Sequence, residues 1–419
     1  MIFSGRKSGI KRNGVLGDGL LWVLTTVLMV SFVVFEKEAA GKYIFLGIAL
    51  VFFAVYALQQ KLHIRMSFDA FHTFTALFGL FCIASMGWAQ DPDLTYRRMT
   101  TVVETILFMW LLYLYYQKEE SVKRLLDVVC ITGSAVAIYA IMRYGQELIS
   151  AVILSGARAE NSFANINAIG VMSAFSVVIF FSRLIRKQFS LSMLLAVPCF
   201  IMVVVSGSRK AFAALGLGIV MLLLIRGMAK SRNPFHTLIR ILLVCVAIFF
   251  LGRALLTLPL FKPLMTPMTR LFNYFTGAGD TDESVRRRMK FVELGLQQFK
   301  STPLFGMGIG NSSLLIGRDT YLHNNYIELL ACGGLAGTLL YYAPYLYLIK
   351  HMIQYRRIKN EESAICLVLL LLILVMDFGQ VSYFSKDTYF YLMLFFTQIR
   401  VLKRQAACEA YRRTLQANG

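Results

Sequence analysis

The stretch NYIELLACGGLAGTLLYYAPYLYL, residues 325–348, decides the fold. Beyond Glu328 it holds no charged side chain. As a helix rising about 1.5 Å per residue, it outruns the roughly 30 Å hydrocarbon core of a bilayer. Runs of the same kind recur outward from it. Toward the C-terminus they are 365–381 and 388–398. Toward the N-terminus they are 241–256, 211–225, 191–205, 166–182, 125–141, 101–116, 71–88, 43–58 and 19–35. The pattern predicts an all-α polytopic membrane protein with about twelve transmembrane helices. Composition agrees: 57% of residues are hydrophobic and 16% charged, where soluble domains carry about a quarter charged. A soluble enzyme or binding module is excluded.

Lysine and arginine set the expected orientation. With the N-terminus inside, the inside segments hold more than half of the 43 Lys and Arg residues, and the short outside loops far fewer. Both termini are therefore expected in the cytoplasm. The formal net charge of +20 then reads as topology and attraction to membrane lipid; no nucleic-acid partner is expected. The chain divides into an inside tail (1–18), nine spans (19–256), a large outside loop (257–324), three spans (325–399) and a second inside tail (400–419). Six cysteines fall inside expected spans and Cys408 follows the last. No CxxC motif occurs, so neither a structural zinc nor a disulfide framework is indicated.

A loop this long within a compact bundle is usually functional. Its first part, LPLFKPLMTPMTRLFNYF (258–275), places apolar residues at helical spacing beside Lys262 and Arg270, as in a helix lying on the membrane surface. GAGDTDES (277–284) supplies a turn and acidic N-cap residues, Asp280 and Asp282. VRRRMKFVELGLQQF (285–299) reads as a second helix, closed by Pro303 and the glycines of FGMGIGN. A further outside segment, 143–165, contains an apolar patch that dips toward the bilayer.

Only one of the five histidines, His323, falls on the outside; His63, His72, His236 and His351 sort to inside segments or span ends. A neutral imidazole accepts a proton near pH 7, whereas an arginine holds anionic phosphate. Taken alone, a histidine at a helix start is more often a packing residue. Its neighbours Asn324, Asn325 and Tyr326 add donors and acceptors, and either asparagine also serves as an N-cap for the span that follows. Cations gather on the same side: Arg209 and Lys210 at the 206–210 hairpin, Arg158 ahead of the 166–182 span, and Arg286, Arg287 and Arg288 in the loop helix. Successive helical positions lie about 100° apart, so at most two of those three arginines face one site. Outside cations run against the positive-inside bias, and binding a diphosphate explains them, because a guanidinium grips phosphate oxygens in bidentate fashion. The G-x-G-x-G run at 306–310 is no nucleotide fingerprint without a βαβ unit; a tight turn whose amides approach a ligand is the better reading. No metal site and no cofactor are expected. Glu104, Glu328 and Asp377 are membrane carboxylates of note by location.

SGSRKAFAALGLG (206–218), the arginine-rich helix running into STPLFGMGIG (301–310), and HNNYIELLACGGLAG (323–337) together resemble the bacterial O-antigen ligase / Wzy-type polysaccharide polymerase superfamily; RAENSFANINAIG (158–170) is a weaker match. The resemblance implies a GT-C-like membrane glycosyltransferase in the bacterial inner membrane, acting outside the cytoplasm without a metal. Its donor is an undecaprenyl-diphosphate-linked glycan, and its acceptor is a glycan or lipid-linked hydroxyl. Other polysaccharide-assembly proteins become possible partners. His323, Arg209 and Arg288 carry over as catalytic. Arg158, Lys210, Arg286, Arg287, Asn324 and Tyr326 are assigned to substrate binding. A tryptophan common after the loop arginine is absent; Phe291 and Val292 occupy that neighbourhood. Polymerase is slightly favoured over ligase. The rival reading is a lipid-linked oligosaccharide flippase or other transporter, which calls for charges lining a midplane path.

Overall fold

The computed structural model describes residues 12–36, 38, 40–63, 67–117, 121–149, 166–230, 283–317, 320–356, 358 and 360–417. Among them every element is helical: α1 (Arg12–Val34), α2 (Gly41–Gln59), α3 (Ala70–Ala84), α4 (Pro92–Tyr115), α5 (Ser121–Ile149), α6 (Ile166–Ile185), α7 (Ala196–Val205), α8 (Arg209–Lys230), α9 (Glu283–Ser301), α10 (Ser312–Ile316), α11 (Asn325–Gln354), α12 (Ser363–Met376) and α13 (Lys386–Ala417), with short 3₁₀ turns before α7 and after α3. Each expected span overlaps described helix except 241–256, which lies outside the described residues, as do the expected surface helix at 258–275 and most of 143–165.

Six described segments are long and apolar enough to cross a membrane: α2, Ala70–Gly87, Ser121–Gly145, α6, Arg209–Gly227 and α11. Asp18–Val34, Leu191–Val205 and α12 are shorter apolar helices. α4, which carries Asp93, Arg97, Arg98 and Glu104, is not among them. The apolar surface does not all turn inward. Leu50, Leu58, Leu80 and Leu339 are exposed, as expected of helices whose outer faces meet lipid.

One expected span ends early. α12 stops at Met376, and 377–385 continues as turns and irregular chain. Backbone buried in this way must find partners. Asn325, with its side chain wholly buried, supplies them: its Oδ1 accepts from the N–H groups of Ser382 (2.9 Å) and Tyr383 (3.1 Å).

The α11 helix is broken at Gly334, whose φ of 61° and ψ of −162° are non-helical. In an unbroken helix Leu335 N–H would bond Ala331 C=O and Ala336 N–H would bond Cys332 C=O. All four groups pair instead with the loop 303–308. Leu335 N–H donates to Pro303 O (2.8 Å) and Ala336 N–H to Leu304 O (3.0 Å), while Met307 N–H donates to Ala331 O (3.1 Å) and Gly308 N–H to Cys332 O (3.0 Å). A helix break inside a bundle is tolerated when the freed groups are satisfied in this way. The glycines make the insertion possible: Gly306 has φ 69°, and a Cβ there would overlap the Cys332 backbone. Pro344, a residue type that commonly kinks a helix, sits inside regular helix.

Candidate active site

The broken helix and the loop wedged into it fix the turn that carries His323. Asn324 is the N-cap of α11, its Oδ1 accepting from Tyr326 N–H (3.0 Å) and Ile327 N–H (3.2 Å). Ahead of it, His323 adopts φ 57°, a conformation uncommon for a residue with a side chain and worth notice where chemistry is suspected. Two anchors hold the turn. Glu328, fully buried, accepts from Ser312 Oγ (2.6 Å) and from Leu322 N–H (2.9 Å). Asn325 N–H donates to Asp377 C=O (2.8 Å), and its Nδ2 donates to Tyr342 Oη (2.8 Å) and Asp377 Oδ2 (3.2 Å). Glu328 is thus an anchor of the turn, bonded to Ser312 and Leu322.

The imidazole of His323 lies between Phe291 of α9, near parallel at 9° with ring centroids 6.2 Å apart, and the edge of Tyr321 at 4.6 Å. α9 packs on α11 through Phe291, Leu322 and Ala331. Gly295 permits the close approach, since a Cβ there would collide with Ile327 and Leu322. This packing sorts the three arginines. Arg288 lies three residues before Phe291 and seven before Gly295, on the buried face of α9, and is half-buried, whereas Arg286 and Arg287 are exposed. Burial lowers the His323 pKa to about 4, with the positive charges of Arg288 and Lys210 adding to it. Desolvation and neighbouring cations both disfavour imidazolium, so the ring is neutral at neutral pH.

Lys210 and Arg209 open α8, after a turn in which Gly207 takes φ 57° and Ser208 Oγ accepts at 3.4 Å from Ala211 N–H. The Lys210 stem runs along the turn after α12, its Cε near Gly379. The structure therefore brings His323, Arg288 and Lys210 together, with Arg209 half-buried one residue before Lys210. Arg158 lies outside the described residues. The Tyr326 hydroxyl donates to Leu374 C=O (2.8 Å), and its ring stacks on Tyr342 at 4.8 Å, engaging it with α11 and α12. The G-x-G-x-G loop differs from expectation: the Met307 and Gly308 amides serve the helix break, and Gly310 packs on Arg98 and Leu94.

Three other described histidines have local structural bonds. His72 caps α3 with Asp69, His351 bonds Tyr347 C=O one turn back (2.8 Å), and His63 bonds Lys61 C=O (2.8 Å). Two residues near the site, Tyr321 and Arg98, are not among the expected site residues. Tyr321 touches His323, and burial, reinforced by Glu36 and Glu328, pushes its phenol pKa up against the opposing charges of Arg98 and Arg288. The Arg98 guanidinium lies 3.7 Å from the Phe384 ring centroid, and Phe384 in turn meets Tyr321 at 6.2 Å. The YLHNNY spacing is the signal for Tyr321; for Arg98 it is a cation beside the 92–115 helix start, on the expected outside. Among the described residues no three His, Cys, Asp or Glu side chains lie together as a metal-ligand set.

Helices of membrane length, one of them broken around a glycine loop, and a neutral histidine beside half-buried cations define a polytopic membrane protein with a polar site at one end of its bundle. Residues 191–342 match the family model for O-antigen ligase, a span that contains α7 to α10, His323 and the helix break. The match covers about a third of the chain and supports the O-antigen ligase/polymerase superfamily and a ligase/polymerase-type activity on lipid-linked glycan at a membrane. No curated protein matches the chain.

Proposed function

We propose that the chain is a membrane glycosyltransferase that moves an undecaprenyl-diphosphate-linked glycan to an acceptor hydroxyl on the extracytoplasmic face of the bacterial inner membrane, with His323 as general base. The observation that supports this reading most is the neutral His323 imidazole beside Arg288 and Lys210. In the reaction the acceptor oxygen attacks the anomeric carbon and gives its proton to a His323 ring nitrogen. The bond from that carbon to the diphosphate oxygen breaks, and undecaprenyl diphosphate leaves with the electron pair. Attack from the face opposite the diphosphate inverts the anomeric centre. Arg288, Lys210 and Arg209 offset the charge developing on the leaving group, the kind of fixed electrostatic stabilisation that is most effective away from bulk water. A second lipid-linked repeat is favoured as acceptor over a lipid core, because it needs no specialised acceptor.

The test is transfer in vitro with purified protein, lipid-linked repeat and a panel of acceptors. His323→Ala is expected to reduce turnover by roughly 10²–10⁴-fold, the usual worth of a general base. Full activity in that variant overturns the assignment of the base, and retention at the new linkage overturns single displacement.

A further inference from the structure

Arg98 approaches the site from α4, and the start of that helix is pinned to the glycine loop. Asn311, fully buried, accepts at its Oδ1 from Asp91 N–H (2.6 Å), and its Nδ2 donates to Asp91 C=O (3.2 Å) and Thr95 Oγ1 (2.6 Å). Arg98 lies three residues after Thr95, on the same helix face. Gly310 packs on its stem, where an added Cβ would meet the Arg98 Cβ at 2.8 Å. The guanidinium then lies 3.7 Å from the Phe384 ring centroid. Phe384 belongs to the turn that Asn325 holds through Ser382 and Tyr383. Stacking on an aromatic face preorganises the planar fork of a guanidinium.

Arg98 is half-buried, and among the described residues nothing hydrogen-bonds its guanidinium, whose nitrogens stay accessible. Glu328 lies near enough to feel the charge, but its oxygens are bonded to Ser312 and Leu322. The Tyr321 hydroxyl is in the same state as Arg98: half-buried, accessible and without a hydrogen-bond partner among the described residues. Tyr321 meets His323 at 4.6 Å and Phe384 at 6.2 Å, so it stands between the imidazole and Arg98. The cations are thereby divided. Arg288 and Lys210 bear on His323, whereas Arg98 bears on Tyr321 and is not among the charges that act on the imidazole.

In the displacement proposed above, the attacking hydroxyl and the departing diphosphate lie on opposite faces of the anomeric carbon. With the diphosphate on the side of Arg288 and Lys210, the rest of the acceptor falls on the side of Tyr321, Phe384 and Arg98. Half-buried aromatic rings flanked by unpaired polar groups suit a sugar: the rings take its C–H face, and the polar groups fix its orientation. We infer that Tyr321 and Arg98 form the acceptor-sugar subsite, with the sugar packed against the Tyr321–Phe384 pair and its hydroxyls bonded to Tyr321 Oη and the Arg98 N–H groups. This subsite rests on the glycosyl transfer proposed above and assigns the half of the site that the diphosphate does not occupy.

The experiment uses full-length protein in neutral detergent. The probe is the repeat oligosaccharide released from its lipid diphosphate by mild acid, so that only sugar is offered to the acceptor side. Its binding is read by saturation-transfer NMR, and its use as acceptor by transfer from the lipid-linked donor. Tyr321→Phe, which keeps the ring, is expected to raise KM for the oligosaccharide about 2–10-fold, and Arg98→Ala by more than about tenfold, as for loss of a neutral and of a charged hydrogen bond. KM for the lipid-linked donor is expected to stay unchanged, and saturation transfer to fall in both variants. Arg98→Lys, without the planar fork, is expected to recover only part of the loss. If Arg98→Ala fails to fold, Tyr321→Phe carries the test. Equal rises in both KM values assign the two residues to the donor side and overturn the subsite, as does unchanged binding in both variants. Saturation transfer needs no turnover, which separates the two readings. Wild-type protein that binds the oligosaccharide through Tyr321 and Arg98 but transfers nothing overturns the reaction and upholds the sugar site. Wild-type protein that transfers glycan with a KM indifferent to both residues overturns the subsite alone.

Discussion

Phe291 lies parallel to the imidazole of His323, with ring planes 9° apart and centroids 6.2 Å apart. The contact joins the loop helix α9 to the turn that opens α11, so it sets the pose of the proposed base from outside its own segment. Phe291 is 6% exposed, and removing such a ring from a packed site costs about 3–5 kcal/mol. Phe291→Ala is expected to lower both Tm and kcat. Phe291→Trp, which keeps the aromatic face, is expected to retain most of the kcat. Equal turnover in the alanine variant and wild type counts against a positioning role.

The pH dependence follows from the lowered pKa of His323, about 4 in the free protein against 6.5 for an ordinary histidine. The base is competent above about pH 4, so the acidic limb of kcat/KM is expected near 4, not near 6.5. A bound diphosphate adds negative charge and favours imidazolium, which moves the acidic limb of kcat to higher pH than that of kcat/KM. Stability runs in the same direction. The unfolded chain takes up the proton near pH 6.5 and the folded chain only near 4, so this group's contribution is complete above 6.5 and declines as pH falls toward 4. Profiles of both kinetic parameters, with unfolding curves across pH 4–7, check these expectations.

Among the loop arginines, Arg288 is expected to matter most. It is half-buried on the face of α9 that carries Phe291, and its charge acts on His323. Arg288→Ala is expected to cost about 10²–10³-fold in kcat, as for loss of one fixed charge-stabilising donor, and to move the acidic limb up toward 6.5. Arg286→Ala and Arg287→Ala, at exposed positions, are expected to lose far less. Steady-state kinetics on the three single variants separate them.

The helix break predicts a contrast between two glycines of nearly equal φ, Gly334 at 61° and Gly317 at 65°. A Cβ at Gly334 would meet the Leu304 backbone at 2.5 Å, whereas at Gly317 it would meet nothing within 4 Å. Gly317→Ala is expected to cost about 1–2 kcal/mol for the left-handed backbone alone. Gly334→Ala adds a backbone clash and the loss of loop pairing, so a larger fall in Tm or in folded yield is expected. Equal Tm losses in the two variants count against the inserted loop.

Asn325 provides the fifth test. Asn325→Ala removes the acceptor for Ser382 and Tyr383 N–H and the donor to Asp377, leaving buried groups unpaired at about 1–3 kcal/mol each. A marked loss of thermal stability is expected. Asn325→Asp places a second carboxylate beside Asp377 and is expected to be at least as damaging. Unfolding curves for the two variants check both outcomes.

Much of the helical layout is legible along the chain, because an apolar run of membrane length needs no tertiary information. The position of α9 is legible for a similar reason: its apolar residues recur at helical spacing between a turn and Pro303. The end of α12 is not. Phe378 and Val381 allow the span to be drawn on to 381, yet the chain leaves the helix at Asp377, where Asn325 pairs with the backbone of Asp377, Ser382 and Tyr383. The break at Gly334 is hidden too. Proline is the usual sequence signal for a kink, but Pro344 is accommodated, and the break depends on a loop some thirty residues earlier.

By itself the sequence determined that this protein lives in a membrane, which residues are able to carry charge or a proton, and the family motifs on which they stand. Local periodicity and residue chemistry suffice for that. Only the tertiary structure decided that Arg288 and Lys210 act on His323, that Phe291 and Tyr321 enclose it, and that Asn325 and Glu328 anchor its turn. These relationships join α8, α9, α11 and the chain after α12. Burial and long-range charge belong to that packing, and no single segment contains them.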